Sequence, residues 1–283
     1  MKKSFIALVV SGMSLVLFCG SALAGYLDGY ANITIPDLNT STTNTWYAGT
    51  NEDQEVEPYA VTGQQWDLEG FFLQGTTLAL LGGFDFINGE GGITSGDIFI
   101  DVTGDAEYGP PAGGSGYGNT DVNNTFGYDY VLDLNFQDPV NPTYSVFELI
   151  GGVATTTVTY SQMQMSNPWL YAAGGASVAG GGDIGYMADL TNAALGDNIA
   201  FAGANGSLTS SDHNLMTFDL GFLPIGTTFT AHFTMECGND DIMATGTTSA
   251  VPEPATIFLL GSGLFAALGG ATKRKIKHIF SKS

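Results

Sequence analysis

The stretch YDYVLDLNF sets Tyr128, Tyr130, Leu132, Leu134 and Phe136 on one face of an extended strand and Asp129, Asp133 and Asn135 on the other. Strict alternation of this kind is the signature of a β-strand with one wet face. It recurs in TTFTAHFTMEC, where Phe229, Ala231, Phe233 and Met235 are expected inward and Thr230, His232, Thr234 and Glu236 outward. Segments near 26–35, 66–73, 77–86, 97–102, 144–150, 153–160 and 214–223 have similar character. Turn chemistry separates them, in NGEGG, PPAGGSGYGN, DPVNP, AGGGD and GANGS. About nine strands in one domain read as all-β, an antiparallel β-sandwich or jelly roll with half-wet faces. Met187 to Leu195 (MADLTNAAL) is the one short helix expected there, and TSTTNT near Thr40 and NEDQEVEP (Asn51 to Pro58) are expected as exposed loops.

Charge narrows the partners. All seven bases, Lys2, Lys3, Lys273, Arg274, Lys275, Lys277 and Lys282, lie outside Gly25–Ala250, while 27 of the 28 acids lie inside it. Such a surface repels nucleic acid and anionic headgroups. It carries no lysine or arginine to neutralise it, so Ca²⁺, Mg²⁺ or salt screening is the natural compensation. The 226 residues of that segment suffice for one domain with a hydrophobic core, or at most two small ones.

The ends have a different grammar. Lys2 and Lys3 precede an apolar run from Phe5 to Phe18 and small residues at Ala22 and Ala24, the pattern of a secretory signal peptide over 1–24. Phe18 is too bulky for a lipoprotein box at Cys19, so cleavage after Ala24 is expected and Cys237 becomes the lone cysteine, expected buried. An acidic ectodomain over 25–246 follows, then a linker and a Pro-Glu-Pro motif over 247–254. Ala255 to Thr272 is 18 residues without a charge, long enough as a helix to span a bilayer, and the basic tail 273–283 marks the cytoplasmic side. Pro252 and Pro254 keep the segment before the span extended.

Val251-Pro-Glu-Pro254, the Gly-rich span and the bases after it resemble the PEP-CTERM sorting signal of exosortase-handled bacterial proteins. The resemblance implies a Gram-negative source, export by the general secretory route, and recognition of Pro252, Glu253 and Pro254 by a membrane-embedded exosortase. It also implies a transient inner-membrane anchor and delivery to the cell surface or extracellular polymer matrix. GDIFIDVTGD (Gly96 to Asp105) and TMECGNDDI (Thr234 to Ile242) look similar to one ectodomain type found on such proteins, to which no activity attaches.

Chemistry within the ectodomain is sparse. Asp97, Asp101, Asp105 and Glu107, with Thr103, form the densest oxygen cluster and a candidate Ca²⁺ site. A solvated acidic turn is the more frequent meaning of such a cluster, and Gly104 is misplaced for an EF-hand. Asp85 with Asn88 and Glu90, and Asp240 with Asp241, are lesser candidates. His213 and His232 are the only ectodomain histidines, and Ser211-Asp212-His213 is too local for an oriented triad. No G-x-S-x-G elbow or H-E-x-x-H is present, and Asp67 with Glu69 is the pair a glycosidase would need. Trp46, Tyr47, Tyr108, Tyr117 and Trp169 could stack on sugars or pack locally. Three functions remain: a non-enzymatic surface or matrix protein associated with exopolysaccharide or biofilm, a calcium-assisted carbohydrate-binding module, and a polysaccharide-degrading enzyme.

Overall fold

The computed structural model describes residues 25–35, 61, 63–107, 120–121, 126–160, 166–196 and 211–250. In chain order the strands are β1 (Ala31–Asn32), β2 (Leu68–Gln74), β3 (Thr77–Gly82), β4 (Ile98–Asp101), β5 (Thr120–Asp121), β6 (Tyr130–Asn135) and β7 (Thr143–Glu148). They continue as β8 (Ala154–Thr156), β9 (Leu170–Ala173), β10 (Ala176–Asp183), β11 (Gly185–Thr191), β12 (Ser211–Asp219), β13 (Thr228–Thr234) and β14 (Asp241–Thr247). The segments expected as a signal peptide (1–24), a membrane span (255–272), exposed loops (TSTTNT near Thr40 and Asn51 to Pro58) and the GANGS turn lie outside the described residues.

Two antiparallel sheets face each other, in the orders β1-β2-β3-β12-β11 and β10-β7-β6-β4-β13-β14. Between them sits the main core, in which Phe71, Leu78, Leu80, Met216 and Phe218 of the first sheet meet Ile98, Ile100, Leu132, Val146, Phe229, Ala231 and Phe233 of the second. Tyr144 spans the interface with its polar tip satisfied, its hydroxyl donating to Asp219 O at 3.0 Å. The β2–β3 hairpin turns through Gly75 at φ 67, a left-handed backbone that glycine adopts without a Cβ clash. One edge is stitched shut: Ile33 N donates to Phe71 O on β2, while Thr245 N donates to Ile33 O and Ile35 N to Met243 O on β14. The segment after β1 therefore passes from one sheet to the other.

Half-wet faces were expected, and here the fold departs from the alternation. The outer face of the first sheet buries Phe72, Ala79, Leu81 and Leu215 under Leu27 and Leu195. The outer face of the second buries Phe99 and Val131 under Phe126, Tyr128 and Val153, next to a three-stranded sheet β5-β8-β9. Tyr128 thus packs on the outer side, opposite to its expected face, and His232 and Thr234 are wholly buried instead of wet. A sequence with apolar residues at both parities, as in LEGFFL and TLALLG, is one whose strand is covered twice.

Two local expectations also change. Met187 to Leu195 is strand β11 for its first part, and the helix is only the single turn Asn192–Leu195. AGGGD is part of β10, where a register shift between Val178 and Gly182 absorbs the glycines; a Cβ on Gly180 would stand 2.8 Å from Phe222. NGEGG and DPVNP do form turns, closed by Ile93 N to Glu90 O and by Asn141 N to Asp138 O.

Leu81→Ala tests the double covering. On a half-wet face the loss would be under about 1 kcal/mol, whereas full burial predicts about 2–5 kcal/mol in chemical unfolding.

Candidate functional site

The last described residues lead straight into the Pro-Glu-Pro segment. Beyond β14, Thr248 is buried, donating through Oγ1 to Pro224 O at 2.7 Å and through N to Thr227 O. Ser249 N donates to Gly75 O at 3.0 Å, so hydrogen bonding runs past the expected boundary at 246 to within two residues of Val251. Pro252, Glu253 and Pro254 themselves lie outside the described residues, as does the span 255–272. Among the described residues no helix is long and apolar enough to cross a membrane.

Sequence proximity grouped four carboxylates, from which the fold sets Asp97 apart. Asp97 and Asp101 stand at opposite ends of β4, roughly 13 Å apart along the strand, too far to share one ion. Asp97 is almost fully buried; its Oδ1 accepts from Leu134 N at 2.8 Å and its Oδ2 from Tyr171 N at 2.7 Å. It thereby ties β4 to both β6 and β9. Burial pushes its carboxyl up to about 8 against the pull of those two amides, with the nearby Asp133 adding to the rise.

Asp101 holds the following turn. Its carboxylate accepts from Thr103 N at 2.9 Å, Gly104 N at 2.8 Å and Ala106 N at 3.3 Å. Partial burial opposes ionisation there, but the three amides and the Thr103 hydroxyl prevail and hold it below the usual range. Asp129, which alternation had placed on a wet strand face, joins from β6's approach, accepting from Val102 N at 2.7 Å and Thr103 N at 3.0 Å. Thr103 Oγ1 lies within hydrogen-bond reach of Asp101, Asp105 and Asp129, while Glu107 uses its backbone N on Phe126 O. No group of three or more His, Cys, Asp or Glu among the described residues has metal-holding geometry.

The other candidates are also structural fasteners. Asp85 accepts from Ile87 N and Asn88 N and from Asn88 Nδ2, closing its own turn. Asp240 Oδ2 accepts from Leu68 N at 2.6 Å, and Asn239 exchanges two bonds with the Val61 backbone, so the Cys237–Asp241 turn pins the entry to β2. Asp241 approaches His232 to 3.9 Å in a buried site where the ring also lies beside Tyr128 and Phe99. Desolvation lowers the His232 imidazole to about 3, so it is neutral in the folded protein. Trp169 is buried against Val158; Trp46, Tyr47, Tyr108 and Tyr117 lie outside the described residues.

Of the glycosidase pair, Asp67 precedes β2 and Glu69 sits at a register shift within it, buried to 1% exposure. Both Glu69 oxygens lie 2.8 Å from His213 Nδ1, Gln64 Nε2 donates to Oε1 at 2.7 Å, and His213 Nε2 meets Asn192 Oδ1 at 2.6 Å. Sequence reading missed this pairing because the partners are 144 residues apart. Its one signal is Glu69 standing in an apolar run.

Comparison with known proteins places the tail. A model of the PEP-CTERM protein-sorting motif matches residues 250–275, and neither a curated protein nor a solved structure matches the chain. An acidic β-fold ending directly at such a signal defines an exosortase-targeted extracellular protein. The chain carries a PEP-CTERM sorting motif, with Pro252, Glu253 and Pro254 inside the matched segment and the β-sheets outside it.

Two measurements follow. Asp97 takes up a proton on folding between its unfolded value near 3.8 and about 8, so its contribution to stability falls as pH rises through that window and levels off above it. The wild-type-minus-Asp97→Asn difference in unfolding free energy should fall with a slope approaching about 1.4 kcal/mol per pH unit; a flat difference would contradict the assignment. Cys237 is buried with its thiol pushed up to about 11 by desolvation, so a disulfide reagent should label it only after denaturant is added.

Proposed function

We propose that the protein is a non-enzymatic component of the bacterial surface or extracellular matrix, associated with exopolysaccharide in a biofilm. The observation that carries this reading is the sorting motif at 250–275, which begins one residue after Ser249, the last hydrogen-bonded position among the described residues. The residues 1–24 act as an export signal and 255–272 as a transient inner-membrane anchor in a Gram-negative cell. Exosortase acts near Pro252, Glu253 and Pro254 and releases the ectodomain outward. Non-enzymatic function is favoured because the carboxylates best suited to hydrolysis or metal binding are engaged: Glu69 by His213 and Gln64, Asp97 and Asp101 by backbone amides. Retention and release also need no cation site, since salt can screen the exposed acids.

Replacing the acid of the motif is the test. Glu253→Ala should leave the protein in the inner-membrane fraction, with its surface and matrix pools lost in cell fractionation. Wild-type amounts of the variant outside the cell would refute exosortase-dependent delivery.

A further inference from the structure

The outer face of the six-stranded sheet is covered by β5, β8 and β9 only in part. Register places Asp133 and Asn135 of β6 opposite Ser145 and Thr143 of β7, and Phe147 opposite both Val131 of β6 and Ser177 of β10. All share the outer face with Val131. Asn135, Ser145 and Ser177 are exposed, and Asp133, Phe147 and Tyr171 are partly so.

Tyr171 borders this open region as part of β9 and stacks on Phe147, with ring centroids 4.9 Å apart and planes at 23°. The stack is fixed from behind. Tyr171 N donates to the buried Asp97, and the Tyr171 hydroxyl donates to Gly174 O. An aromatic platform already held in place loses little freedom when a ligand arrives. Hydroxyl and amide groups beside a ring are the chemistry that meets a sugar, whose C–H face packs on the ring while its hydroxyls hydrogen-bond alongside.

Charge selects among sugars. Asp133 shares this face with the ring, and desolvation, with the Asp133 charge adding to it, raises the Tyr171 hydroxyl, so a cation is favoured over an anion beside it. No lysine or arginine between Gly25 and Ala250 relieves it. An anionic polymer is repelled and a neutral one gains nothing from the field. An ammonium gains an ion pair with Asp133 and a cation–π contact with the ring.

We propose that this face, from Asp133 and Ser145 to the Phe147–Tyr171 stack, binds a polysaccharide bearing free amino groups. The inference rests on the exopolysaccharide association proposed above and names its chemistry.

Calorimetric titration of the exported protein with fully deacetylated glucosamine oligosaccharides tests it, against N-acetylated and glucose oligosaccharides of equal length. The amine form should bind about tenfold tighter than either. Asp133→Asn and Tyr171→Ala should each weaken it about tenfold. Asp189→Asn, which removes an exposed charge from β11 on the other sheet, should leave it unchanged. Ser145→Trp guards against misfolding, because it blocks the face from an exposed position; it should also abolish binding. Equal affinity for the three sugars, equal weakening by Asp189→Asn, or full binding by Ser145→Trp would overturn the proposal. Matrix fractionation separates the two readings: a protein that stays in the matrix but fails the titration loses this site alone, and one absent from the matrix loses the association itself.

Discussion

A carboxylate taken out of water needs a partner, and from Gly25 to Ala250 the chain offers no lysine or arginine. Backbone amides fill that role. Asp97 accepts one amide from β6 and one from β9, Asp240 accepts the amide that opens β2, and Asp101 gathers three amides of the turn after β4. Glu69 instead takes a histidine and a glutamine side chain. These contacts lie where ladders stop: at strand entries, at turns, and between the six-stranded sheet and the small sheet over it. The acids that stand out in the sequence therefore act as acceptors, closing turns and, at Asp97 and Asp240, also joining elements of different sheets.

Much of this fold can be read from alternation, because sheet faces impose a period of two. The inward sets Leu132–Leu134 and Phe229–Ala231–Phe233–Met235 line the shared core as their spacing predicts. Less legible is what lies on a strand's second face. Phe99 and Val131 are apolar because a third layer covers them, and part of that cover, Phe126 and Tyr128, comes from the stretch just before β6, outside the alternating strand itself. Glycine-rich β10 escaped notice since its residues carry no pattern; its pairing with β7 and the packing of Val178 on the core place it. The same limit applies to the sites. Neighbours in sequence, Asp97 and Asp101, proved to serve opposite ends of β4, whereas Glu69 and His213 meet from distant strands and left only an apolar run with an acid in it.

Function divides along the chain in the same way. The sorting motif is a local signal, a short Pro-Glu-Pro sequence with bases after it, legible without the fold. Its placement does depend on the fold: Thr248 and Ser249 are bonded to the Pro224–Thr227 loop and the β2–β3 turn, so the motif leaves from a fixed point on the domain. Such an exit holds the acidic domain close to its point of processing. Once outside, the domain presents acidic turns around Asp101 and Asp129 and an open polar face beside the Phe147–Tyr171 stack, with Glu69 buried against His213.

Hydrogen exchange at single amides tests the central claim most directly, that carboxylates rather than cations close the junctions of this fold. In the exported protein the amides of Leu68, Leu134 and Tyr171, each bonded to a side-chain carboxylate, should exchange as slowly as the ladder amides of β4 and β13. Exchange at these three at the rate of exposed turn amides, while the ladders stay protected, would contradict the account.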